Sequence, residues 1–157
     1  MVLAAWWGKI LIVGLGAIIG ANARVWLSNS LDLDSFPAAT FIVNTSGSLL
    51  LGIVVTAVQQ FQLNPHWKLF LGTGLLGSWT TFSTYSLDGW LALSQGEKWI
   101  GIVYLVASVL SGVILAALGS MVVNYFDSRR RQRAKPRIEE VDEEEEDEEE
   151  AEEMITK

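Results

Sequence analysis

The chain has 157 residues, half of them hydrophobic, with seven tryptophans and no cysteine. This composition excludes an ordinary soluble domain and a disulfide-stabilised scaffold, and it is typical of a small protein that crosses a membrane several times. Residues 1–127 carry four cations and five acids, whereas residues 128–157 carry seven cations and thirteen acids, so the net charge of −7 comes mainly from the C-terminal end. We therefore predict a transmembrane domain over residues 1–127 and a charged tail over residues 128–157.

Four apolar segments are each close to the ~20 residues that a helix needs to span a bilayer. They cover residues 4–27, 37–61, 68–94 and 99–126 and are joined by short polar loops. Several tryptophans lie near the segment ends, where their amphipathic rings settle at the headgroup level. The pattern predicts an all-α, multi-pass protein of the cell (inner) membrane with four transmembrane helices per subunit.

Small residues recur in the first and fourth segments at spacings that let helix backbones approach closely. They are Gly14, Gly16 and Gly20 in the first segment and Ser108, Gly112, Ala116 and Ser120 in the fourth. Dense packing within one subunit would account for any single glycine. Because four helices enclose little interior, we interpret the two small-residue faces as contacts of a homo-oligomer.

Two polar residues in the first two segments are candidates for function. Arg24 lies at the end of the first segment, where an ionisable group is either functional or an anchor that reaches the membrane interface. Asn44 lies near the middle of the second segment, where an amide must be hydrogen-bonded. Its partner is either a neighbouring helix or a ligand, and the sequence leaves both open.

The third segment is too polar to face lipid. Hydroxyls, glycines and aromatic residues crowd into residues 72–88, GTGLLGSWTTFSTYSLD, and unpaired polar groups in a bilayer core are costly. Glycine loosens a helix interior and threonine hydroxyls compete for backbone hydrogen bonds, so the GTGLLGSWTT stretch disfavours a continuous helix. We predict a break in this helix. The alternative is an unbroken helix, packed tightly in a bundle, whose hydroxyls bond to its own carbonyls.

The fourth segment and the tail carry two further features. Tyr104 and Ser108 are four residues apart, so they share a helix face and form a polar stripe. A basic stretch over residues 128–137 is followed by an acidic run over residues 138–153. Blocks of like charge predict a disordered or frayed tail, which is either solvated or, in its basic part, lies on anionic headgroups.

Three motifs carry a family resemblance. GLGAIIGANAR over residues 14–24, ATFIVNTSGSLLLG over residues 39–52 and GLLGSWTTFST over residues 74–84, in this order and spacing, resemble the Fluc (CrcB-type) fluoride channel family. The resemblance covers about residues 4–126 and excludes the tail. It implies an antiparallel, dual-topology homodimer with two fluoride pores, in which the third helices are broken around a structural Na+.

The resemblance also implies roles for single residues. Backbone carbonyls of Gly77 and Thr80 would hold the Na+. Asn44 would be a pore-lining amide, Phe82 an aromatic edge facing the ion and Arg24 a cation of the vestibule. Hydroxyls along the fluoride route would be those of Thr40, Ser83, Thr84, Tyr104 and Ser108.

Three residues depart from the family pattern. Tyr85 stands where a second phenylalanine is usual, on the same helix face as Phe82, and its phenol adds a donor for the ion. Ser78 stands where glycine is common, which affects the carbonyl at Gly77. Asp88 replaces a more usual glutamate at the end of the third segment.

Two other function classes stay open. A proton-coupled small four-helix multidrug exporter needs a membrane-embedded carboxylate, and the segments offer only Asp88, near an end. A structural or adaptor protein that presents the acidic tail gives no reason for Asn44 or the TTFST run. An enzyme is not predicted, because the sequence has no cysteine, a single loop histidine and no metal-ligand cluster. The predicted partners are fluoride, the lipid bilayer and a second subunit, without nucleic acid.

The distribution of positive charge also predicts the orientation of the chain in the membrane. With four spans, both termini lie on one side of the membrane together with eight cations, against Arg24 and Lys98 on the other side. Such an excess predicts cytoplasmic termini and a single orientation, which a dual-topology homodimer does not have. The second subunit is therefore either an identical chain or an oppositely oriented homologous chain. We favour the homodimer, because the basic cluster follows the last segment and acts late in insertion.

Overall fold

The computed structural model of the chain describes the backbone of residues 2–31 and 36–156 and the side chains of residues 6–31 and 36–132. This backbone is helical apart from short connections. The helices are α1 (Val2–Ser30), α2 (Ala38–Gln60), α3 (Lys68–Leu76), α4 (Gly77–Trp79), α5 (Phe82–Ser94) and α6 (Lys98–Thr156). The prediction of a helical protein is confirmed.

Three of these helices are long and apolar enough to cross a membrane. The apolar stretches are Trp6–Ser30 in α1, Ala38–Gln60 in α2 and Lys98–Gln132 in α6. The remaining predicted span is divided among α3, α4 and α5, none of which reaches the length of a bilayer crossing by itself. Three of the four predicted spans are confirmed, and the divided one stays a prediction.

The third segment is broken at the two threonines that follow its glycines. α3 winds as a π-helix, and the N–H of Gly77 donates to the carbonyl oxygens of Gly72 and Gly74. π-helical turns are rare and occur frequently at functional sites. Thr80 (φ −76°, ψ 156°) and Thr81 (φ −147°, ψ 123°) are extended. The predicted break is confirmed.

α1 packs along α3 and α4 at backbone distance. A Cβ at Gly16 would collide with the α3 backbone, and a Cβ at Gly74 would lie 2.6 Å from the carbonyl oxygen of Val13, so both positions need glycine. The hydroxyl of Ser78 lies 2.7 Å from the carbonyl oxygen of Gly74 in its own segment and 3.0 Å from that of Ala17 in α1. The serine that replaces the usual glycine therefore has acceptors both in its own segment and on the neighbouring helix.

The small residues of α6 face α2 of the same subunit. A Cβ at Gly52 would collide with the carbonyl oxygen of Ala116, and a Cβ at Gly119 would collide with that of Leu49. The hydroxyl of Ser120 lies 3.4 Å from the carbonyl oxygen of Gly52. Interpreting this face as a homo-oligomer contact is thereby corrected, because close backbone packing within one subunit occupies it.

The described interior is nearly as polar as it is apolar. Its buried apolar residues are Val43, Leu76, Ala92, Tyr104 and Val123, and its buried hydroxyl residues are Thr40, Thr45, Thr81 and Ser108. Most large apolar side chains lie on the outer surface instead. This distribution is the one expected when helices face lipid and keep their polar side chains inside.

The chain divides into two units, Met1–Val123 and Asn124–Lys157. The second unit is helical as far as Thr156, whereas its charge predicted disorder or a frayed helix. Arginine, glutamine, alanine and glutamate, which make up most of it, have high helix propensity. A functional division at residue 127 stays a prediction, and the side chains of the acidic run lie outside the described residues.

Candidate functional site

The helix break is fixed by Asn44 of α2. Its Nδ2 donates to the carbonyl oxygen of Thr81 at 2.9 Å, and the N–H of Thr81 donates to Asn44 Oδ1 at 2.8 Å. In an unbroken helix that N–H would donate to the carbonyl oxygen of Gly77, four residues earlier. The Asn44 side chain therefore replaces a helical hydrogen bond and satisfies both backbone polar groups of Thr81.

Thr81 also caps the first turn of α5. Its Oγ1 accepts a hydrogen bond from the N–H of Thr84 at 3.2 Å, the arrangement of a helix N-cap. In an unbroken helix the N–H of Thr84 would donate to the carbonyl oxygen of Thr80. The carbonyls of Gly77 and Thr80, which are the predicted Na+ ligands, have thus both lost the amide partner that a continuous helix supplies.

Backbone carbonyls of this kind suit a hard cation, which prefers oxygen ligands. Among the residues with described side chains, no group of three His, Cys, Asp or Glu could hold a metal ion. The oxygens that the break offers to a cation are therefore main-chain carbonyls and threonine hydroxyls, and the carbonyls of Gly77 and Thr80 are the predicted ligands. One subunit supplies two of them, so a complete coordination shell needs oxygens from elsewhere, such as a second subunit.

A cavity of about 290 Å³ lies beside the break. We call it the Asn44 cavity, and it is lined by Asn44, Gly47, Ser48, Leu51, Thr80, Thr81, Phe82, Tyr85, Ser108 and Val109. The ring centroids of Phe82 and Tyr85 are 5.7 Å apart, and Phe82 is 80% exposed in the single subunit. The cavity combines an amide, hydroxyls and aromatic rings without a charged side chain.

The hydroxyl of Tyr85 is bonded within the protein. It donates to the carbonyl oxygen of Leu105 in α6 at 3.0 Å. Its proton therefore points to a neighbouring helix, which differs from the sequence expectation that this phenol donates to an ion. The ring of Tyr85 still lines the Asn44 cavity, so what it offers there is aromatic surface.

Tyr104 and Ser108 bring two unpaired hydroxyls to α6. Both residues are buried, Tyr104 completely, and neither hydroxyl has a hydrogen-bond partner in the part of the chain with described side chains. An unsatisfied buried polar group costs roughly 1–3 kcal/mol, so such groups are expected to bind water or a ligand. Ser108 lines the Asn44 cavity, and the Tyr104 ring centroid lies 5.6 Å from that of Tyr85.

A second cavity, of about 330 Å³, contains the arginine of α1. We call it the Arg24 cavity, and it is lined by Arg24, Val25, Ser28, Asn29, Thr40, Val43, Thr81, Ser83 and Thr84. Within the described residues the only ion pair joins Arg131 and Asp127, so the charge of Arg24 is not neutralised by a carboxylate there. The cavity is therefore positively charged and rich in hydroxyls.

Thr40 connects the Arg24 cavity with the carboxylate at the end of the third segment. Its hydroxyl donates to Asp88 Oδ2 at 2.7 Å. The aspartate that replaces the usual glutamate is thus long enough to reach α2. Thr40 and Asp88 are close polar neighbours of Tyr104, without completing a hydrogen bond to its Oη. The hydroxyl proton of Thr40 is therefore hydrogen-bonded to Asp88 and does not point into the Arg24 cavity.

Thr81 is not among the site residues predicted from the sequence, although it lines both cavities and is only 8% exposed. The sequence does indicate a capping role for Thr81, because a threonine directly before a helical stretch is typical of an N-cap. Ser28 and Ser48 line the cavities as well, and each lies four residues after a predicted site residue. Residues four apart share a helix face, so the positions of Arg24 and Asn44 also predict Ser28 and Ser48 as cavity residues.

The chain matches the family model described as "CrcB-like protein, Camphor Resistance (CrcB)" over residues 11–120. It is 40% identical over 119 residues to the fluoride-specific ion channel FluC of Oceanobacillus iheyensis, which covers 74% of this chain and 92% of that protein. FluC of Marinobacter nauticus is 40% identical over 119 residues, covering 73% and 92%. FluC 1 of Listeria monocytogenes is 39% identical over 122 residues, covering 73% and 96%.

The matched residues include every residue that lines either cavity and end before the charged tail. The relatives are named as ion channels and not as enzymes, in agreement with the absence of a catalytic set in the sequence. The resemblance predicted from the three motifs is confirmed, and this chain belongs to the CrcB-like protein family.

Proposed function

We propose that this protein is a passive, fluoride-selective ion channel that removes fluoride from the cytoplasm. Relatives at 39–40% identity carry the name fluoride-specific ion channel. The observation that carries the proposal is the position of Thr81, which lines both cavities at a helix break fixed by Asn44. A polar route through this break would connect a charged cavity with a neutral one.

The donor groups of the Asn44 cavity fit the chemistry of fluoride. The ion is small and strongly hydrated, so a pore must replace its water with close hydrogen-bond donors. The Asn44 amide has two N–H groups, and the bond to Thr81 uses one of them. Ser108 adds a hydroxyl without a partner among the described side chains. The positive edges of the Phe82 and Tyr85 rings would complete the shell.

The Arg24 cavity fits the role of a vestibule. A guanidinium without a carboxylate partner among the described residues raises the local concentration of anions. Ser83 and Thr84 line the same cavity and offer hydroxyls to an ion that has entered it. Arg24 is then a functional cation, which is one of the two readings that the sequence left open.

For the assembly we propose an antiparallel, dual-topology homodimer with two pores, in which the third segment is the fourth membrane span. The large exposed ring of Phe82 fits a pore wall that a second subunit completes. A structural Na+ at the dimer centre, held by the carbonyls of Gly77 and Thr80 from both subunits, fits the loss of their helical amide partners. When bound, this ion would make the interior electropositive.

Fluoride efflux from liposomes tests the function. Purified protein in vesicles loaded with potassium fluoride or potassium chloride, with a potassium ionophore to balance the charge, should release fluoride rapidly and retain chloride, with protein-free vesicles as the control. Imposing a proton gradient should not drive further release, because the proposed channel is passive. Equal release of both anions would contradict a fluoride channel, and fluoride release driven by the proton gradient would contradict a passive one.

Two measurements test the assembly. Fluoride efflux should fall when Na+ is removed from both sides of the vesicles, and unchanged efflux would argue against the Na+ site. Because the sequence lacks cysteine, Gln132→Cys provides a single label for orientation in intact cells. Labelling of about half of the chains from outside is expected for dual topology. Labelling of none would require an oppositely oriented homologous partner.

A further inference from the structure

The end of α6 carries an exposed surface that the proposed channel does not use. It consists of Tyr125, Phe126, Arg129, Arg130 and Arg131, all with exposed side chains. We call these five residues the α6 collar. They lie beyond residue 120, where the family match ends.

Contacts within the α6 collar divide its arginines into two classes. Arg131 Nε lies 2.8 Å from Asp127 Oδ2, so this carboxylate largely neutralises its charge. The guanidinium of Arg129 lies 4.8 Å from the ring centroid of Tyr125, which orients the charge without neutralising it. Arg130 has no ion pair among the described residues. The collar thus presents two uncompensated positive charges beside two exposed aromatic rings.

The arrangement of these charges around the helix indicates what surrounds it. Successive residues of an α-helix are about 100° apart, so the two uncompensated charges of Arg129 and Arg130 point in clearly different directions around the helix. A protein or nucleic acid that docked on one side would face one of them more than the other. A helix that emerges from a bilayer has headgroups on all sides, and charges that point in different directions suit that environment.

The length of the apolar stretch agrees with this position. Lys98–Gln132 has 35 residues, or about 52 Å of helix, against a hydrocarbon core of roughly 30 Å. A crossing helix of this length must extend beyond the core. Aromatic rings are typical of the interface and arginines of the zone just outside it, which is the order in which the α6 collar presents them.

We propose that the α6 collar binds the phosphate-bearing headgroups of anionic lipids. The competing occupant is the chain's own acidic run over residues 138–153, which follows directly in the sequence. Headgroups present phosphates on every side of the helix, whereas the acidic run is one segment of the same chain. This binding is independent of fluoride conduction, and either proposal can fail without the other.

A spin label at Gln132→Cys in the otherwise cysteine-free full-length chain tests the proposal. Label mobility is compared in vesicles of phosphatidylcholine alone and in vesicles containing about one-third phosphatidylglycerol. The label should be less mobile in the anionic vesicles and regain mobility near 1 M salt, where the screening length is only about 3 Å. Inorganic phosphate added to the neutral vesicles should not reproduce the effect.

The contacts of the α6 collar also predict how strongly each substitution changes label mobility. Arg130→Gln should remove much of the difference between the two vesicle types, because this arginine has no ion pair among the described residues. The double substitution Asp127→Asn with Arg131→Gln removes an ion pair without changing the net charge, so it should remove little. Asp127→Asn should enlarge the difference by releasing Arg131. Lys9→Gln removes a cation from α1 instead and is the charge-matched control. The size-exclusion profile of each purified variant shows that it has folded.

Two results would overturn the proposal. Equal label mobility in neutral and anionic vesicles would exclude recognition of anionic headgroups. Salt-sensitive immobilisation that is equally strong in neutral vesicles would assign the α6 collar to the acidic run of the chain itself.

Discussion

The Asn44 cavity and the Arg24 cavity lie on the same helix break but differ in chemistry. The Arg24 cavity contains a guanidinium and several hydroxyls. The Asn44 cavity contains two aromatic rings, an amide and hydroxyls, without a formal charge. Thr81 lines both. A full charge attracts anions from a distance, whereas neutral donors at fixed positions distinguish them by size.

This difference suggests a division between collecting the anion and selecting it. A cation within the narrow part of a pore would hold an anion too tightly for rapid passage. Neutral donors held by the fold avoid this, provided that each is positioned before the ion arrives. The paired bonds between Asn44 and Thr81 provide such positioning. Substitutions in the two cavities should therefore affect conduction differently.

Asn44→Ala should have the largest effect. It removes the proposed donor to the ion and leaves the N–H and carbonyl of Thr81 without their partners, at roughly 1–3 kcal/mol for each unsatisfied group. We expect most fluoride efflux to be lost while the dimer persists, as measured by liposome efflux and size-exclusion chromatography.

Thr45→Ala is the matched control for this substitution. Thr45 is the neighbour of Asn44 in α2, but its hydroxyl bonds only to carbonyls of its own helix. Its removal should leave conduction unchanged. If Asn44→Ala conducted as well as Thr45→Ala, the assignment of the Asn44 cavity to the pore would be wrong.

Phe82→Ile should have the next largest effect. The substitution keeps an apolar side chain but removes the positive ring edge that faces the proposed ion. Because this side chain is 80% exposed in the subunit, we expect little change in thermal stability and a large loss of fluoride efflux. Leu87→Ile, an exposed apolar residue of the same helix outside both cavities, is the control. Normal efflux through Phe82→Ile would remove the ring from the pathway.

Arg24→Gln should reduce conduction moderately and in a salt-dependent manner. Electrostatic attraction of ions commonly raises entry rates by at least about tenfold, and the gain falls as ionic strength rises. We expect efflux to be lower at low salt and close to that of the unmodified chain at high salt. Lys68→Gln removes a cation outside both cavities and should have no such effect. A loss that is equal at all salt concentrations would indicate a structural role for Arg24.

The sequence predicts the helices and the break well because lipid restricts the alternatives. Apolar runs of bilayer length become helices, because a helix satisfies the hydrogen bonds of its backbone N–H and C=O groups within one segment in hydrocarbon. A run of glycines and threonines cannot continue such a helix without cost. These are local rules, and the predicted break was found at Thr80 and Thr81.

The contacts between helices are beyond the reach of those rules. Asn44 and Thr81 are 37 residues apart, and the sequence states only that the amide needs a partner. Small residues at four-residue spacing show that backbones approach but not which ones, so the face of α6 that packs on α2 was assigned to a second subunit. The sequence likewise predicts the hydroxyl of Tyr85 as a donor to the ion. Its acceptor in the structure, the carbonyl of Leu105, lies on another helix and cannot be identified by local rules.

Tyr85→Phe should have the smallest effect. The substitution removes one hydrogen bond between α5 and α6, worth about 0.5–1.5 kcal/mol, and leaves the ring in the Asn44 cavity. We expect a slightly lower melting temperature, with the rate of fluoride efflux and the exclusion of chloride unchanged. Tyr125→Phe removes a hydroxyl from an exposed ring outside both cavities and should change neither property. A clear change in rate or selectivity with Tyr85→Phe, at unchanged stability, would mean that the phenol leaves Leu105 and donates to the ion during conduction.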